Sequence, residues 1–293
     1  MAKWTFTPSQ PGVRNTASWL ISRQNNSNGP YQVDLSWPLG CYLVDGNALF
    51  LTATETLRRR ESHRARETKT IVVAVGYPLT DSLFSPRRST DLTPPCDNYT
   101  PPEGPDGKPN TEDHGGADKF LEFITEIVQP FIRSRVFPNI SFQKTALFGH
   151  SYGGLFVLHS LFTRPSTFDI YLAASPSIWW NDCFILSELP RLCHALSFKQ
   201  PPDLRLSFGS REQSPVQGPG EPLEKFERRK DAAQRRRMAD NCSELYNSLL
   251  KAGYLRVLEM KEYPDEDHGS VIAPALNGAI VFMESLLSKM DDY

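Results

Sequence analysis

A chain of 293 residues, 39% of them hydrophobic, is long enough to bury a sizeable core, and we expect one large domain rather than two small ones. Its formal net charge of -2 excludes the strongly basic surface that nucleic acids and anionic membranes recognise, so a small-molecule partner is expected. The five cysteines form no CxxC pair, which argues against a disulfide framework and a zinc site.

The first 30 residues are expected to form an N-terminal extension. The opening segment MAKWTFTPSQ lacks the pattern of a secretory leader, in which a positively charged region is followed by an apolar run. No later stretch reaches the roughly 20 apolar residues that a membrane-spanning helix needs. We therefore expect a cytoplasmic protein that binds neither nucleic acid nor membrane.

Six short apolar runs are predicted to be strands: GCYLVDG, TIVVAVGY, TALFGHS, DIYLAAS, DLRLSFGS and YLRVLEM. Their apolarity is continuous rather than alternating, which is typical of strands covered on both faces. Helix-like segments separate them, including NALFLTATETLRRR, ADKFLEFITEIVQPFIRSR and a long charged stretch from Leu223 to Leu250. This order predicts an α/β fold with a mostly parallel central sheet and helices on both faces.

The turn after the first predicted strand, VDGNALF, places Asn47 at the start of a helix. In hydrolases with this order of elements, such a turn supplies one backbone donor of an oxyanion hole. The N–H of Asn47 is our candidate for that donor. The alternative is an ordinary helix N-cap, which has the same geometry, so the two roles can coexist.

A long irregular tract, residues 80–116, follows the second predicted strand. It exceeds ordinary loop length. We expect it to be an insertion that shapes the mouth of a pocket or acts as a lid.

The segment LFGHSYGGLF places Ser151 between Gly149 and Gly153, after the strand TALF and before the helix LFVLHSLF. A G-x-S-x-G sequence at a strand-to-helix junction is typical of a nucleophile elbow. Glycines are needed there because side chains would collide with the adjacent strand and helix. The N–H of Tyr152, at the helix start, would point at an oxyanion. The alternative is an ordinary glycine turn, but the flanking strand and helix favour catalysis.

A serine nucleophile needs a histidine base later in the chain. His268, in YPDEDHGSV, lies in a polar turn after the last predicted strand, where it can reach over the sheet edge. The alternative for it is a solvated surface histidine. The other histidines precede the serine, lie in the elbow or lie in apolar segments: His63, His114, His150, His159 and His194.

The acid of the triad is expected after the strand DLRLSFGS, and the first carboxylate there is Glu212. The alternative for Glu212 is a solvated carboxylate paired with Arg211. Asp265 and Asp267 lie close to the histidine along the chain and are the next candidates for the acid.

Six motifs occur in order along the chain: LVDGNALF, VAVGYP, SPRRSTDLTP, FGHSYGGLF, ASPSIWW and DHGS. Together they resemble the esterase D-like group of α/β hydrolases, most closely the siderophore esterases, from about Tyr31 to the end of the chain. Those are intracellular enzymes that cut the ester bonds of ferric siderophores such as enterobactin, bacillibactin and triacetylfusarinine C. The resemblance implies that residues 1–293 form a single α/β-hydrolase domain.

The resemblance also implies substrate-binding residues. Arg87 and Arg88 match a basic pair at the mouth of the site that can contact the siderophore. The alternative is a salt bridge to Asp91 that holds the loop. Trp179 and Trp180 match residues beside the pocket, and we expect one of them in the core and the other in the pocket.

The expected function is therefore hydrolysis of a ferric hydroxamate siderophore of the triacetylfusarinine C type. The resemblance favours that class over a catecholate, and the basic run ERRKDAAQRRRM has the pattern of a solvated helix face. No metal or other cofactor is expected, because iron arrives only with the substrate. The alternatives are another esterase of the same fold, such as an S-formylglutathione hydrolase or a general carboxylesterase, and a non-catalytic binding protein.

Overall fold

The computed structural model describes residues 4–9, 16–23, 29–36, 39–61, 70–78, 82–102, 109, 112–142, 144–194 and 200–288. Parts of the expected N-terminal extension and of the tract 80–116 therefore lie outside the described residues.

The strands of the described chain form a single sheet. Their bounds are β1 Trp4–Ser9, β2 Thr16–Arg23, β3 Tyr31–Ser36, β4 Leu39–Leu43, β5 Thr70–Gly76, β6 Ala146–His150, β7 Ile170–Ala174, β8 Asp203–Gly209 and β9 Val257–Tyr263. The strand order is β1-β2-β3-β5-β4-β6-β7-β8-β9. In this order, β1, β2, β3 and β5 pair with one another antiparallel. The neighbours among β5, β4, β6, β7, β8 and β9 are all parallel. The predicted α/β fold with a mostly parallel sheet is confirmed.

The predicted helical segments are helical in the structure with two differences. The helix bounds are α1 Gly46–Glu61, α2 Arg88–Asp91, α3 Ala117–Glu122, α4 Gln129–Phe131, α5 Tyr152–Thr163, α6 Trp180–Cys183, α7 Leu189–His194, α8 Leu223–Arg236, α9 Met238–Ala252 and α10 Ile272–Ser288. Of these, α2, α6, α7 and α10 were not predicted. Segments of π-helix, Phe123–Val128 and Ile132–Val136, alternate with α3 and α4. The stretch from Leu223 to Leu250 is two helices rather than one, because Arg237 has a φ of 47° and breaks the helix between them.

Helices cover both faces of the sheet. On one face, α1 and α10 pack against residues such as Val72 and Phe148. On the other face, α5 and the helical run 117–136 pack against strand residues that alternate with the first set, such as Val73 and Leu147. Successive side chains of a strand point to opposite faces, so a strand buried on both faces is apolar throughout. Each such side chain contributes about 1.5–3 kcal/mol through its burial.

The strands β1, β2 and β3 were not predicted from the sequence, and they extend the sheet at the edge away from β9. Their residues alternate in burial, with Val33 and Leu35 buried and Gln32 and Asp34 partly exposed. Short alternating runs that contain polar residues give a weak strand signal. The segment expected as an extension therefore contributes strands to the same sheet.

A buried histidine on α5 links this helix to its neighbours. His159 is fully buried, and its ring nitrogens lie 2.7 Å from Glu188 Oε2 and 3.1 Å from Asp118 Oδ1. Burial alone would lower the pKa of His159, but the hydrogen bonds to the two carboxylates outweigh it and raise the pKa above the usual 6.5. The protonated ring is therefore favoured in the folded protein.

We expect His159 to make stability depend on pH. Because its pKa is raised on folding, its contribution is fully present below pH 6.5 and is lost as the pH rises through the higher folded value. The free energy of unfolding of the wild type and of His159→Gln, measured by urea denaturation at pH 6 and pH 8.5, should differ more at pH 6. An equal difference at the two pH values would contradict this expectation.

Candidate active site

The serine of the glycine-rich turn lies where β6 ends and α5 begins, with Ser151 at φ 61° and ψ -117°. This backbone region is strained for a residue with a side chain and is found at functional turns. The surroundings require glycine: a Cβ on Gly149 would overlap the Gly153 carbonyl, and one on Gly153 would lie 2.9 Å from Val44 Cγ2. The turn thus holds the serine hydroxyl out at the carboxyl end of the sheet.

Three predicted side chains meet at this point. Ser151 Oγ lies 3.0 Å from His268 Nε2, and His268 Nδ1 lies 2.6 Å from Glu212 Oε2. The second oxygen of Glu212 accepts hydrogen bonds from the Ser175 hydroxyl at 2.6 Å and from the Gly209 N–H at 2.7 Å. The Glu212 side chain is 1% exposed, whereas that of His268 is 46% exposed. This is the geometry of a nucleophile, a base and an orienting acid.

The other candidate acids have different partners. Asp265 forms an ion pair with Arg211 at 2.7 Å, on the protein surface. Asp267 Oδ1 accepts two backbone N–H groups at 2.9 Å and so holds the turn that carries the histidine. These backbone hydrogen bonds lower the pKa of Asp267. Glu212 is thus the carboxylate that the fold brings to the imidazole.

Backbone hydrogen bonds connect the loop after β8 to the loop after β9. The N–H of Ser210 donates to Tyr263 O at 2.9 Å, and the N–H of Arg211 donates to Glu266 O at 3.0 Å. A Cβ on Gly209 would overlap the Glu266 carbonyl, so the two backbones can approach this closely only at a glycine. The acid and the base are consequently held by one pair of connected loops.

Two further residues contact Ser151 or His268 and were missed from the sequence. Ser177 Oγ lies 3.3 Å from Ser151 Oγ, and the N–H of Ser177 donates to Ser151 O at 3.1 Å. The ring of His150 is buried and lies 4.6 Å from the ring of His268. Burial is the main cause that holds the pKa of His150 well below its usual value, and the charges of His268 and Arg88 act in the same direction. A neutral ring therefore lies against the ring of His268, and no sequence pattern indicates this contact.

The predicted oxyanion donors lie at the starts of α1 and α5. The side chain of Asn47 donates to Tyr77 O at 2.6 Å and accepts from the Tyr77 N–H at 2.8 Å, which ties the start of α1 to the end of β5. Tyr152 directly follows Ser151 and opens α5. The helix dipole favours negative charge at this position. The use of the two backbone N–H groups by an oxyanion stays a prediction.

Arg87 is held by residues around the start of β3. Its guanidinium donates to Pro30 O at 3.1 Å and lies 3.9 Å from Asp91 Oδ2. It also lies over the rings of Tyr31, at 4.7 Å, and Tyr77, at 5.0 Å. These contacts fit the loop-holding alternative, and contact with a ligand stays a prediction.

Arg88 has a different carboxylate partner from the one considered from the sequence. Its guanidinium donates two hydrogen bonds to Asp45, at 2.9 and 2.8 Å, rather than pairing with Asp91. It lies 5.3 Å from the ring of Tyr152. Arg88 therefore sits beside the serine turn with its charge already compensated, and its contact with substrate also stays a prediction.

The two tryptophans differ in burial and in their neighbours. Trp180 is 0% exposed and packs 5.4 Å from the ring of Tyr99, which belongs to the tract 80–116. Trp179 is half-buried, with its ring 6.3 Å from Tyr152 and 4.7 Å from the Arg236 guanidinium. The structure thus places Trp180 in the core and Trp179 near Tyr152, the residue that follows the serine. A role for either in binding stays a prediction.

Across the described ranges, no three His, Cys, Asp or Glu side chains lie together in a way that could hold a metal ion. The same part of the chain contains no helix of the length and apolarity needed to cross a membrane.

Residues 42–246 match the model of the family described as "Putative esterase". The siderophore enterobactin esterase of Emericella nidulans is 62% identical over 98% of this chain and 99% of its own length. The siderophore triacetylfusarinine C esterase of Aspergillus fumigatus is 43% identical over 89% of this chain and 91% of its own length. The solved structure of the siderophore hydrolase EstA from Aspergillus nidulans has a TM-score of 0.90 and 62% identity, and covers 97% of this chain and 99% of that one.

These similarities confirm the resemblance that the sequence motifs indicate. They extend over nearly the whole chain and include both the sheet and the segments that carry the serine, the glutamate and the histidine. The chain belongs to the esterase family of α/β hydrolases that includes the fungal siderophore esterases.

Proposed function

We propose that this protein is a serine esterase that hydrolyses the ester bonds of siderophores. The observation that carries the proposal is the alignment of Ser151, His268 and Glu212 within hydrogen-bonding distance of one another, at 3.0 and 2.6 Å. The names of the similar fungal proteins supply the substrate class.

In the proposed reaction, Ser151 Oγ attacks the ester carbonyl while His268 Nε2 takes the hydroxyl proton. Glu212 stabilises the imidazolium that forms. The N–H groups of Tyr152 and Asn47 hold the oxyanion. When the tetrahedral intermediate collapses, His268 gives the proton to the leaving alcohol, and water then cleaves the acyl-enzyme by the same steps.

Two siderophore esters are proposed as substrates. The sequence motifs favour the hydroxamate ester triacetylfusarinine C, and a relative of 43% identity carries that name. A relative of 62% identity is named for the catecholate ester enterobactin. We propose that cleavage takes place in the cytoplasm and frees the iron, because each broken ester removes a link that holds the iron-binding groups together.

The test is mass spectrometry of ferric enterobactin and ferric triacetylfusarinine C after incubation with the wild type or with Ser151→Ala. We expect linear trimer, dimer and monomer to appear only with the wild type. Cleavage of a short acyl ester but of neither siderophore would favour a general carboxylesterase or an S-formylglutathione hydrolase. Failure of an organophosphonate to label Ser151 would favour a non-catalytic binding protein.

A further inference from the structure

Three consecutive arginines, residues 235–237, lie at the end of α8, where the helix breaks at Arg237. Arg237 lies 3.3 Å from Asp240 and 2.7 Å from Glu244, so its charge is paired on α9. Arg236 instead lies over the ring of Trp179, with its guanidinium carbon 4.7 Å from the ring centre. The basic run is therefore not a uniformly solvated helix face.

The charge of Arg236 has no carboxylate to balance it in the parts of the chain that the structure describes. Surrounding protein atoms lower its pKa, and the neighbouring Arg235 adds to this effect, while Tyr152 acts in the opposite direction. The side chain nevertheless stays open to solvent. A partly desolvated guanidinium that solvent can reach is well placed to bind an anion.

This cation lies beside the serine turn. The ring of Trp179 is 6.3 Å from the ring of Tyr152, the residue after the nucleophile. Tyr152 also has Arg88 at 5.3 Å, but Asp45 already compensates the charge of Arg88. Of these two cations near Tyr152, Arg236 is the one whose charge is available to a ligand.

The position of Arg236 is fixed by the loop that carries the triad acid. Gln213, next to Glu212, accepts hydrogen bonds from the N–H groups of Ala239 and Asp240 at 3.1 Å each. Its amide donates to the Asp240 carboxylate at 2.9 Å. Gln213 therefore caps the start of α9 and joins the junction of α8 and α9 to the catalytic centre.

We propose that Arg236 and Trp179 form a binding subsite for an anionic aromatic arm of the substrate, such as an iron-bound catecholate. The guanidinium would donate to the phenolate oxygens, and the indole would pack on the aromatic ring. A ferric catecholate siderophore carries negative charge, whereas ferric triacetylfusarinine C is neutral, so this charge favours the catecholate. The inference rests on the proposed esterase function.

The test compares kcat/KM for ferric enterobactin and for ferric triacetylfusarinine C in the wild type and in Arg236→Gln. We expect Arg236→Gln to lower the ratio of kcat/KM for ferric enterobactin to kcat/KM for ferric triacetylfusarinine C. The expected fall is about 10- to 100-fold, the factor associated with a lost charge-assisted hydrogen bond. Arg236→Lys keeps the positive charge but lacks the planar guanidinium, so it should lower this ratio by a smaller factor. The matched control is Arg228→Gln, because Arg228 lies on the same helix, is exposed and pairs with Glu224.

A binding measurement separates this inference from the proposed function. With Ser151→Ala as background, the dissociation constant for ferric enterobactin should rise when Arg236→Gln is added, and its dependence on salt should decrease. Equal effects of Arg236→Gln on both siderophores, or none on either, would overturn the subsite. If the wild type cut neither siderophore, the proposed siderophore esterase function would fail, while the binding measurement would still report on the subsite.

Discussion

Ser151→Ala is expected to lower kcat for ester cleavage by about 10⁶-fold, which leaves only the rate that the oxyanion donors and substrate binding supply. In the proposed reaction the hydroxyl oxygen is the atom that attacks, and its 3.0 Å distance to His268 Nε2 gives the proton a direct path to that nitrogen. His268→Ala should have an effect of the same size, because the residues of a triad act as a unit.

The measurement is single-turnover hydrolysis of a chromogenic short acyl ester. Ser248→Ala, on the outer surface of α9, is the control and should keep wild-type activity. The thermal unfolding midpoints of the variants should stay close to that of the wild type, since the change removes one hydroxyl from a partly exposed turn. Activity of Ser151→Ala within tenfold of the wild type would show that another group is the nucleophile.

Glu212→Gln is expected to lower kcat by about 10⁴-fold, by analogy with the loss of the correct histidine tautomer in serine proteases. The carboxylate accepts from three donors: the Ser175 hydroxyl, the Gly209 N–H and the His268 imidazole. A glutamine amide has only one acceptor oxygen, so its NH₂ group must face at least one of these donors. The imidazole then loses its orientation or takes the wrong tautomer.

Glu212→Ala should reduce kcat by a smaller factor, because it removes the acceptor without adding a competing donor. The matched control is Asp265→Asn, which changes a carboxylate to an amide on the neighbouring loop, at a surface ion pair. It should alter kcat by no more than about twofold. Full activity in both Glu212 variants, together with a large loss in Asp265→Asn, would transfer the role of the acid to Asp265.

Some of this architecture is predictable because local sequence dictates it. Every residue of β5, β6, β7 and β8 is buried and most of these residues are apolar, so the strands are recognised without knowledge of their neighbours. The serine turn is recognised from its glycines, because the Gly153 backbone leaves no room for a side chain at Gly149, and the Val44 side chain leaves little room for one at Gly153. The order of a serine, an acid and a histidine then limits the choice of the other two residues.

Other features depend on contacts between distant segments. The partner of Arg88 is Asp45, 43 residues earlier, and no local pattern distinguishes it from the nearer Asp91. The orientation of Arg236 follows from the left-handed backbone of Arg237, a residue type that seldom adopts it. Adjacent tryptophans are expected to differ in burial, but the packing of Tyr99, His114 and Phe184 around Trp180 makes it the inner one.

The position of β9 at the end of the strand order has a consequence for heat inactivation. This strand has a single hydrogen-bonded neighbour in the described sheet, and its residues are only partly buried, so it opens more readily than the central strands. His268 lies just beyond it, whereas Ser151 follows the fully buried β6. We therefore expect fraying of this edge to withdraw His268 from Ser151 while most of the domain stays folded, so that catalysis is lost on warming before cooperative unfolding begins.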